Sequence, residues 1–576
     1  MAKIDAGSLD DLRKTGRLLT KLGTQPVCVL WDGEAAYAVD DRCPHLGFPL
    51  HRGTVEQGMV TCHWHHARFD LVSGCTLDPF ADDVRAYPVT IEGDRVLIEP
   101  GDGGESVEHL EARLIEGLEQ GLTLVTAKAV LGLLQAGRGP EDIVRVGVDF
   151  GTRYRQQGWG AGLTVLVAMA NLLPQLDPAD RPLALVQGLA FVSRDTMNRP
   201  PRFPLEPLGS STVPGERLAA WYRRFIGTRS DEAAERTLAT AIKGGVPLDD
   251  IGRIMLAAVT DHVFVDGGHT IDFTNKAFES LDLIGRDAAG QVLPTMVLQT
   301  AQASRSEEQG SWRHPHDLAS MMDSAMPALT AAAAASASTA SASADLDDAA
   351  VAALGWQILA DDPHEVIDAV VAAHGAGATP EQLGRALAFA AALRITRFHV
   401  QNDHGDWDVV HHGFTAANAL HQSLIRSPSP EGLRGVLHGA MKVFLDRFLN
   451  VPAARLPSAG SGDLSELQSC WDEQGHVDRA GGIVFGYLQS GGDPADAIAA
   501  LGRALLAEDA EFHWFQVVEA AVRQFHAWPP GSEEGALILA GAARFLAAHT
   551  PTRRELPQVV RIATRLRRGE VLFEEE

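Results

Sequence analysis

Two short segments near the start of the chain, Cys43-Pro44-His45 and Cys62-His63-Trp64-His65, each bring a thiol and an imidazole together, with sixteen residues between them. Two thiolates and two imidazoles are the donor set of a mixed-ligand [2Fe–2S] cluster, in which sulfur binds one iron and nitrogen the other. The same side chains bind zinc tetrahedrally, but zinc sites more often use Cys-x-x-Cys or a helical His pair, and this region reads as strand and loop. A [2Fe–2S] cluster on Cys43, His45, Cys62 and His65 is therefore the expectation, and with it single-electron transfer. Gly47 and Gly74 are turn formers, and Pro79 marks a third loop suited to capping the cluster. His51, His63 and His66 read as loop-surface residues, and Cys28 and Cys75 as small packing residues.

Cys43-Pro-His-Leu-Gly47 and Cys62-His-Trp-His65 match the two ligand boxes of the Rieske family of ferredoxins and ring-hydroxylating oxygenases, which the chain resembles from about residue 5 to about residue 100. The resemblance implies a small all-β domain. The cytochrome bc-type branch carries an additional Cys in each box, joined as a disulfide. Phe48 and Trp64 hold those places here, which points to the lower-potential, ferredoxin-like branch.

The elements that must position these loops are hairpins. Pro26–Trp31 and Ala35–Val39 flank the turn Asp32-Gly33-Glu34, and the alternating residues Tyr87, Val89 and Ile91 precede Glu92-Gly93-Asp94, after which Val96 and Ile98 alternate. Gly101–Glu105 reads as a flexible boundary. From about residue 106 apolar residues recur at helical spacing, as in Leu383–Leu393 and Ala497–Leu506. Helix starts are signalled at Pro140, Pro247, Pro380 and Pro494. The helical part looks duplicated. Thr152–Arg155, Gly162–Thr164 and Gln187-Gly188 correspond to Thr396–His399, Gly413–Thr415 and His438-Gly439, and each series runs to a proline, Pro201 or Pro452. The fold class expected is multidomain: an all-β domain over 1–103, then all-α repeated units over 106–326 and 347–576, with an Ala/Ser-rich linker at 327–346.

The second copy has His399, His412 and His438 where the first has Arg155, Ala161 and Gln187. Gathering imidazoles in one copy is what a one-sided metal site looks like. His262, Asp266 and His269 stand at i, i+4 and i+7, one stripe if helical. This part of the chain, about 110–576, resembles the questin oxidase family of helical, metal-dependent oxygenases. His262, Asp266, Gly268, Asp272 and Phe273 fit that family's His-x3-His-x-Gly-x3-Glu-Phe segment, with Asp266 replacing the second His. His412-Gly-Phe-Thr415 before Ala419-Leu420 is similar to a second segment, and His513-Trp-Phe-Gln516 to a third in which Gln516 replaces Lys; the family's early His pair is absent. The resemblance implies His262, Asp266, His412 and His513 as ligands of a mononuclear non-haem iron(II); His438 (Lys442 one turn on) is a lesser candidate, as is His269, where that family has a different residue. It also implies an aromatic or polyketide-like substrate.

The chain has 49 Lys and Arg against 75 Asp and Glu, a formal charge of -26, which argues against nucleic acid or an anionic membrane surface as partner. There is no signal-like start, no apolar run of membrane length, and only five unevenly spaced cysteines, so a cytoplasmic location is expected. Two readings follow. In the first, a reductase or ferredoxin supplies electrons to the cluster, which passes them to an iron oxygenase site acting on a small apolar substrate. In the second, the chain is a non-catalytic electron carrier with a helical docking scaffold.

Overall fold

The computed structural model describes all residues except 1–2, 101–105, 210–212, 339–345, 403, 571 and 573–576; for 332–338 and 404 only the backbone is described. The chain divides into two compact units, one of Met1–Ile143 with Glu555–Glu576, the other of Val144–Arg554.

The first unit opens with ten strands: β1 (Ile4–Ser8), β2 (Arg17–Leu22), β3 (Gln25–Trp31), β4 (Ala36–Asp40), β5 (Thr54–Glu56), β6 (Met59–Thr61), β7 (Arg68–Asp70), β8 (Ala86–Tyr87), β9 (Val89–Glu92) and β10 (Arg95–Ile98). They form three antiparallel sheets, in the orders β1-β10-β9, β2-β3-β4-β8 and β5-β6-β7. Strand β3 reads as an unbroken apolar run, Val27–Leu30, because it is buried on both faces. Cys28 and Leu30 point into a core with Val39, Leu50, Val60 and Phe69, while Val27 and Val29 point into a second core with Leu12, Val96 and Ile98. The small sheet β5-β6-β7 is inserted between β4 and β8, so the chain segments at 43–49 and 62–67 become the connections leading into β5 and between β6 and β7.

Both expected hairpins are present, β3–β4 with Trp31 opposite Ala36 and β9–β10 with Glu92 opposite Arg95. Tyr87 is the exception. It lies in β8 and pairs with Ala38 of β4, its hydroxyl donating to Asp40 at 2.6 Å, so the alternation that seemed to continue into β9 crosses from one sheet to another.

After β10 the described residues contain helices and no strand. The first helix, Val107–Gln120, is capped by Ser106, whose hydroxyl accepts from the His109 amide at 3.1 Å. The boundary read at Gly101–Glu105 lies outside the described residues. All four proline signals stand at helix starts: Pro140–Arg153, Leu248–Thr260 after Pro247, Pro380–Thr396 and Pro494–Leu506. The duplicated segments fall on matching helices: Pro140–Arg153, Ala161–Leu172 and Arg181–Thr196 in one copy, and Pro380–Thr396, His404–Arg426 and Pro430–Leu445 in the other. The Ala/Ser tract begins inside a helix, Leu318–Ser338, which continues through Pro327, and its part at 339–345 lies outside the described residues.

Gly74 shows how tightly the small sheet is closed. Its φ is +78°, and a Cβ there would meet the Val84 carbonyl oxygen at 1.9 Å, whereas Gly93, with φ of +66°, has nothing within 4 Å. Gly93→Ala is expected to cost about 1–2 kcal/mol from the backbone conformation alone. Gly74→Ala adds a backbone clash and is expected to cost clearly more, about 3 kcal/mol or above. Hydrogen exchange of peptides covering 59–87, with urea unfolding, measures the difference; equal losses at both positions would contradict it.

Candidate functional site

The two loops that carry the thiols are built alike. In the first, the Cys43 amide donates to Phe48 O at 2.8 Å and the Gly47 amide to Cys43 O at 2.8 Å. In the second, the Cys62 amide donates to Ala67 O at 2.8 Å and the His66 amide to Cys62 O at 3.0 Å. Gly47 and His66, at equivalent places, both take positive φ, +86° and +62°. Each loop is thus a closed turn that buries its cysteine and lifts its histidine to the tip.

The tips meet. The rings of His45 and His65 lie 4.7 Å apart, edge to face, and Cys43 and Cys62 are buried and free of any disulfide. The two sulfurs are close enough to share a proton. The Cys62 thiolate accepts from the Cys43 thiol, which together with burial pushes Cys43 up; the same bond leads the causes that lower Cys62 to about 6. His45 is held at about 4, first by burial, then by His65 and Lys128. Its Nδ1 is buried with no hydrogen-bond partner among the described residues, an unfavourable state that metal coordination relieves. Phe80, from the loop after Pro79, packs its ring 5.1 Å from that of His45. Phe48 and Trp64, at the two places where the other branch has cysteines, put their rings 6.1 Å apart, so the two loops meet through an aromatic contact. Two buried sulfurs on one side and two imidazoles toward the surface fit a mixed-ligand [2Fe–2S] cluster.

Comparison with known proteins agrees. The profile of the Rieske [2Fe-2S] domain matches residues 3–88. The ferredoxin component of the naphthalene 1,2-dioxygenase/salicylate 5-hydroxylase systems of Ralstonia sp is 31% identical over 96 residues, 16% of this chain and 92% of the ferredoxin. The chain belongs to the Rieske family. Apoptosis-inducing factor 3 of Mus musculus is 35% identical over 79 residues, 14% of this chain, and the match spans only 13% of that relative's own length. The 4beta-methylsterol monooxygenase of Methylococcus capsulatus is 35% identical over 78 residues, 12% of this chain and 21% of the monooxygenase. All three matches are confined to a short part of this Rieske chain, which implies a [2Fe–2S] cluster there.

Around that centre, His51 Nδ1 donates to the Asp41 carboxylate at 2.6 Å and is half-buried rather than on the surface, while His63 bonds Thr54 Oγ1 at 2.7 Å and is exposed. Cys28 is a core residue; Cys75 is exposed, on a rim turn.

In the second unit three further imidazoles converge. His269, His412 and His513 offer ring nitrogens that all lie within 4.8 Å of one another. His269 Nε2 and His412 Nε2 are 3.1 Å apart. Two imidazoles bound at about 2.1 Å and at right angles to one ion would hold their nitrogens about 3.0 Å apart, so the spacing suits metal coordination. Burial is the leading cause that lowers all three, His412 to about 3 and His513 to about 2, so they are neutral and able to donate lone pairs. His411, one residue before His412, is fully buried and stacks its ring 4.0 Å from that of His513, with neither nitrogen hydrogen-bonded among the described residues.

The expected helical stripe His262–Asp266–His269 does not exist as a helix. The helix Leu248–Thr260 ends before it, and Phe264, Asp266, Gly267 and Gly268 all have positive φ, forming a sharp turn from which His269 opens the helix His269–Ile284. His262 faces away into an ion pair with Glu307 at 2.8 Å. Asp266 sits at the rim, half-exposed, its carboxylate 4.0 Å from His269 Nδ1. His438 is buried and lines an apolar cavity with Phe264, Gly268 and Ala416, and Lys442 pairs with Asp446. The structure therefore brings His412 and His513 together with His269. The signal for His269 was present in the sequence as a histidine just after Gly267-Gly268, a break that ends one helix and starts the next.

One turn inward from the three histidines, Gln516 donates to the Asp272 carboxylate, and beyond it Lys276 pairs with Glu279 at 2.8 Å and Glu519 at 2.7 Å, all buried. Burial pushes Asp272 up to about 7 from its ordinary 3.8, against the pull of Lys276 and the Gln516 donation. The unfolded chain releases this proton near pH 4, whereas the folded chain keeps it until about 7. Stability therefore falls as pH rises between those values and stays level above them. Asp272→Asn is expected to match the parent metal-free protein at pH 4 and to exceed it by on the order of 4 kcal/mol at pH 8 in urea unfolding. A constant difference at both pH values would refute the assignment.

Proposed function

We propose that this chain is a Rieske-coupled oxygenase. Cys43 and Cys62 hold one iron of the [2Fe–2S] cluster, His45 and His65 the other, and a mononuclear non-haem iron(II) is held by His269, His412 and His513 with Asp266 at the rim. The observation that carries the second centre is the convergence of three neutral, half-buried imidazoles from helices far apart in sequence. Imidazoles, a neighbouring carboxylate and open positions form the ligand set suited to oxygen-activating iron(II), and the iron–sulfur centre supplies electrons one at a time.

The protein's own part in this is positional. The closed Cys43 and Cys62 loops keep the sulfurs dry and put His65 at the surface, where an electron donor, a reductase or another ferredoxin, can approach. The turn at Phe264–Gly268 delivers His269 toward His412, whose backbone carbonyl and the Ala416 side chain lie against Gly268. The questin oxidase resemblance implies an apolar organic substrate, aromatic or polyketide-like. The ferredoxin match to aromatic-ring oxygenase systems and the monooxygenase relative, in which the matched part is a fraction of a longer chain, support the same reading.

A second reading is favoured by the coverage of the relatives: the match takes in 92% of a stand-alone ferredoxin, so the first unit alone resembles a complete electron carrier. Iron analysis of the purified full chain separates the two. The oxygenase reading expects about three iron atoms per chain, the cluster pair and one more, and the carrier reading about two. His412→Ala with His513→Ala is expected to lower the count by about one while leaving the cluster's visible absorption unchanged; no change in iron would sink the second centre. Cys62→Ser is expected to abolish that absorption and the rhombic spectrum of the reduced mixed-ligand cluster. Retention of both would remove Cys62 from the ligand set.

A further inference from the structure

The Rieske match ends at residue 88, and directly beyond the sheets the first unit adds a helical hairpin, Val107–Gln120 and Thr123–Gln135. This hairpin reaches back to the ligand loops with two buried cations. Lys128 Nζ donates to the carbonyl of Pro44 and, at 3.2 Å, to that of His45, and pairs with Asp82 at 3.0 Å. Those three partners use all three ammonium donors. Arg113 donates to the carbonyls of Pro79 at 3.1 Å and Ala81 at 2.9 Å, and its Nε and Nη2 both reach Asp82 Oδ1 at 3.2 Å. One carboxylate thus ties together the cation on the first ligand loop and the cation on the third loop, whose Phe80 packs on His45.

We infer that Lys128 is a positioning residue for the Rieske centre: by fixing the Pro44–His45 backbone and placing a buried positive charge against it, it raises the reduction potential of the cluster, while Asp82 opposes it. The physical basis is simple. Reduction adds one negative charge at the cluster, and a fixed cation in a low-dielectric setting favours the more negative state. Lys128 and Arg113 are each 7% exposed, so solvent screens them little; Arg113 is answered by Asp82 and Glu116, and Lys128 is the cation that touches the ligand loop itself. Glu116, the other partner of Arg113, is turned to solvent with its side chain 37% exposed.

This inference rests on the four cluster ligands proposed above, and the test keeps the two apart. Redox titration of the full chain, followed by the visible absorption of the cluster, is carried out for the parent, Lys128→Met, Lys128→Arg and Asp82→Asn. At a fixed ambient potential near the parent midpoint, Lys128→Met is expected to lower the reduced-to-oxidised ratio about tenfold, a midpoint shift of about 59 mV for a one-electron couple. Asp82→Asn is expected to raise the ratio, and Lys128→Arg to stay within about threefold of the parent. A shift under about threefold in Lys128→Met, or shifts of the same sign in Lys128→Met and Asp82→Asn, would overturn the inference, since loosened loops alone give no opposite signs. If Lys128→Met fails to assemble a cluster, the direction in Asp82→Asn decides: a rise supports the inference and a fall or no change rejects it. A parent chain that carries no cluster would instead reject the ligand assignment and this inference with it.

Discussion

Two loop tips with no regular secondary structure of their own must hold four side chains around one small inorganic unit, and everything in the first unit serves that convergence. An unsupported loop would sample many conformations, and ordering each residue costs about 1–2 kcal/mol. The chain offsets that cost in three ways. Each loop closes on itself through a pair of backbone hydrogen bonds, from the Cys43 and Gly47 amides in one and the Cys62 and His66 amides in the other. The cysteines are then anchored in the core beneath, beside Leu50, Val60 and Phe69. Finally the tips are tied to each other by Phe48 and Trp64 and to the following helices by Lys128 and Arg113.

The second unit faces the same problem with helices in place of loops, and the physical constraint shifts from order to charge. Three imidazoles whose nitrogens approach within 4.8 Å cannot all be protonated, because like charges at that range in a buried setting repel strongly. Burial settles the matter by holding them neutral. Neutral, close and partly unpartnered, as with His513 Nδ1, they form a group whose lone pairs a cation would satisfy. The Lys276–Glu279–Glu519 ion pairs lie behind them and keep their own charges paired, with Asn171 also donating to both glutamates at 2.8 and 3.0 Å. That leaves Asp272 as a carboxyl poised near neutrality between the two groups.

What could be read from the sequence follows from range. The cluster boxes are legible because each donor pair is local, separated by one or two residues, and because hairpins announce themselves through turn residues such as Gly33 and Gly93. The helix starts were legible for the same reason, proline being favoured in the first turn and costly further in, although Pro327 does sit inside a helix. The three-histidine group was not, since His269 and His412 are 143 positions apart and only tertiary packing joins them. The stripe drawn through His262, Asp266 and His269 assumed a continuous helix across Gly267-Gly268. Glycines that adopt positive φ break such a helix, and here Phe264 and Asp266 adopt it too, so His262 turns away to Glu307 while Asp266 stays at the rim beside His269. Tyr87 illustrates the converse case: its alternation with Val89 is genuine, but alternation carries no information about which sheet a strand joins.

The two sets of matching helices use corresponding positions differently. At corresponding places the first copy has Gln187 and the second His438, on matching helices, yet the two do different work. Gln187 is fully buried and donates to the carbonyls of Leu506 and Glu508 at 3.1 and 3.3 Å, closing the end of the Pro494–Leu506 helix. His438 lines a cavity beside Gly268 and Ala416, and burial holds its ring at about 3, neutral. Arg155 likewise spends its guanidinium on Asp195 at 3.0 Å and on the carbonyls of Gly158 and Trp159, whereas His399, its counterpart, makes only a local contact with the Gln401 amide at 3.2 Å. A copy whose polar side chains are committed to backbone carbonyls stabilises the frame and has none to spare. His412 from the second copy and His269 and His513 from outside it are the imidazoles that the frame brings together.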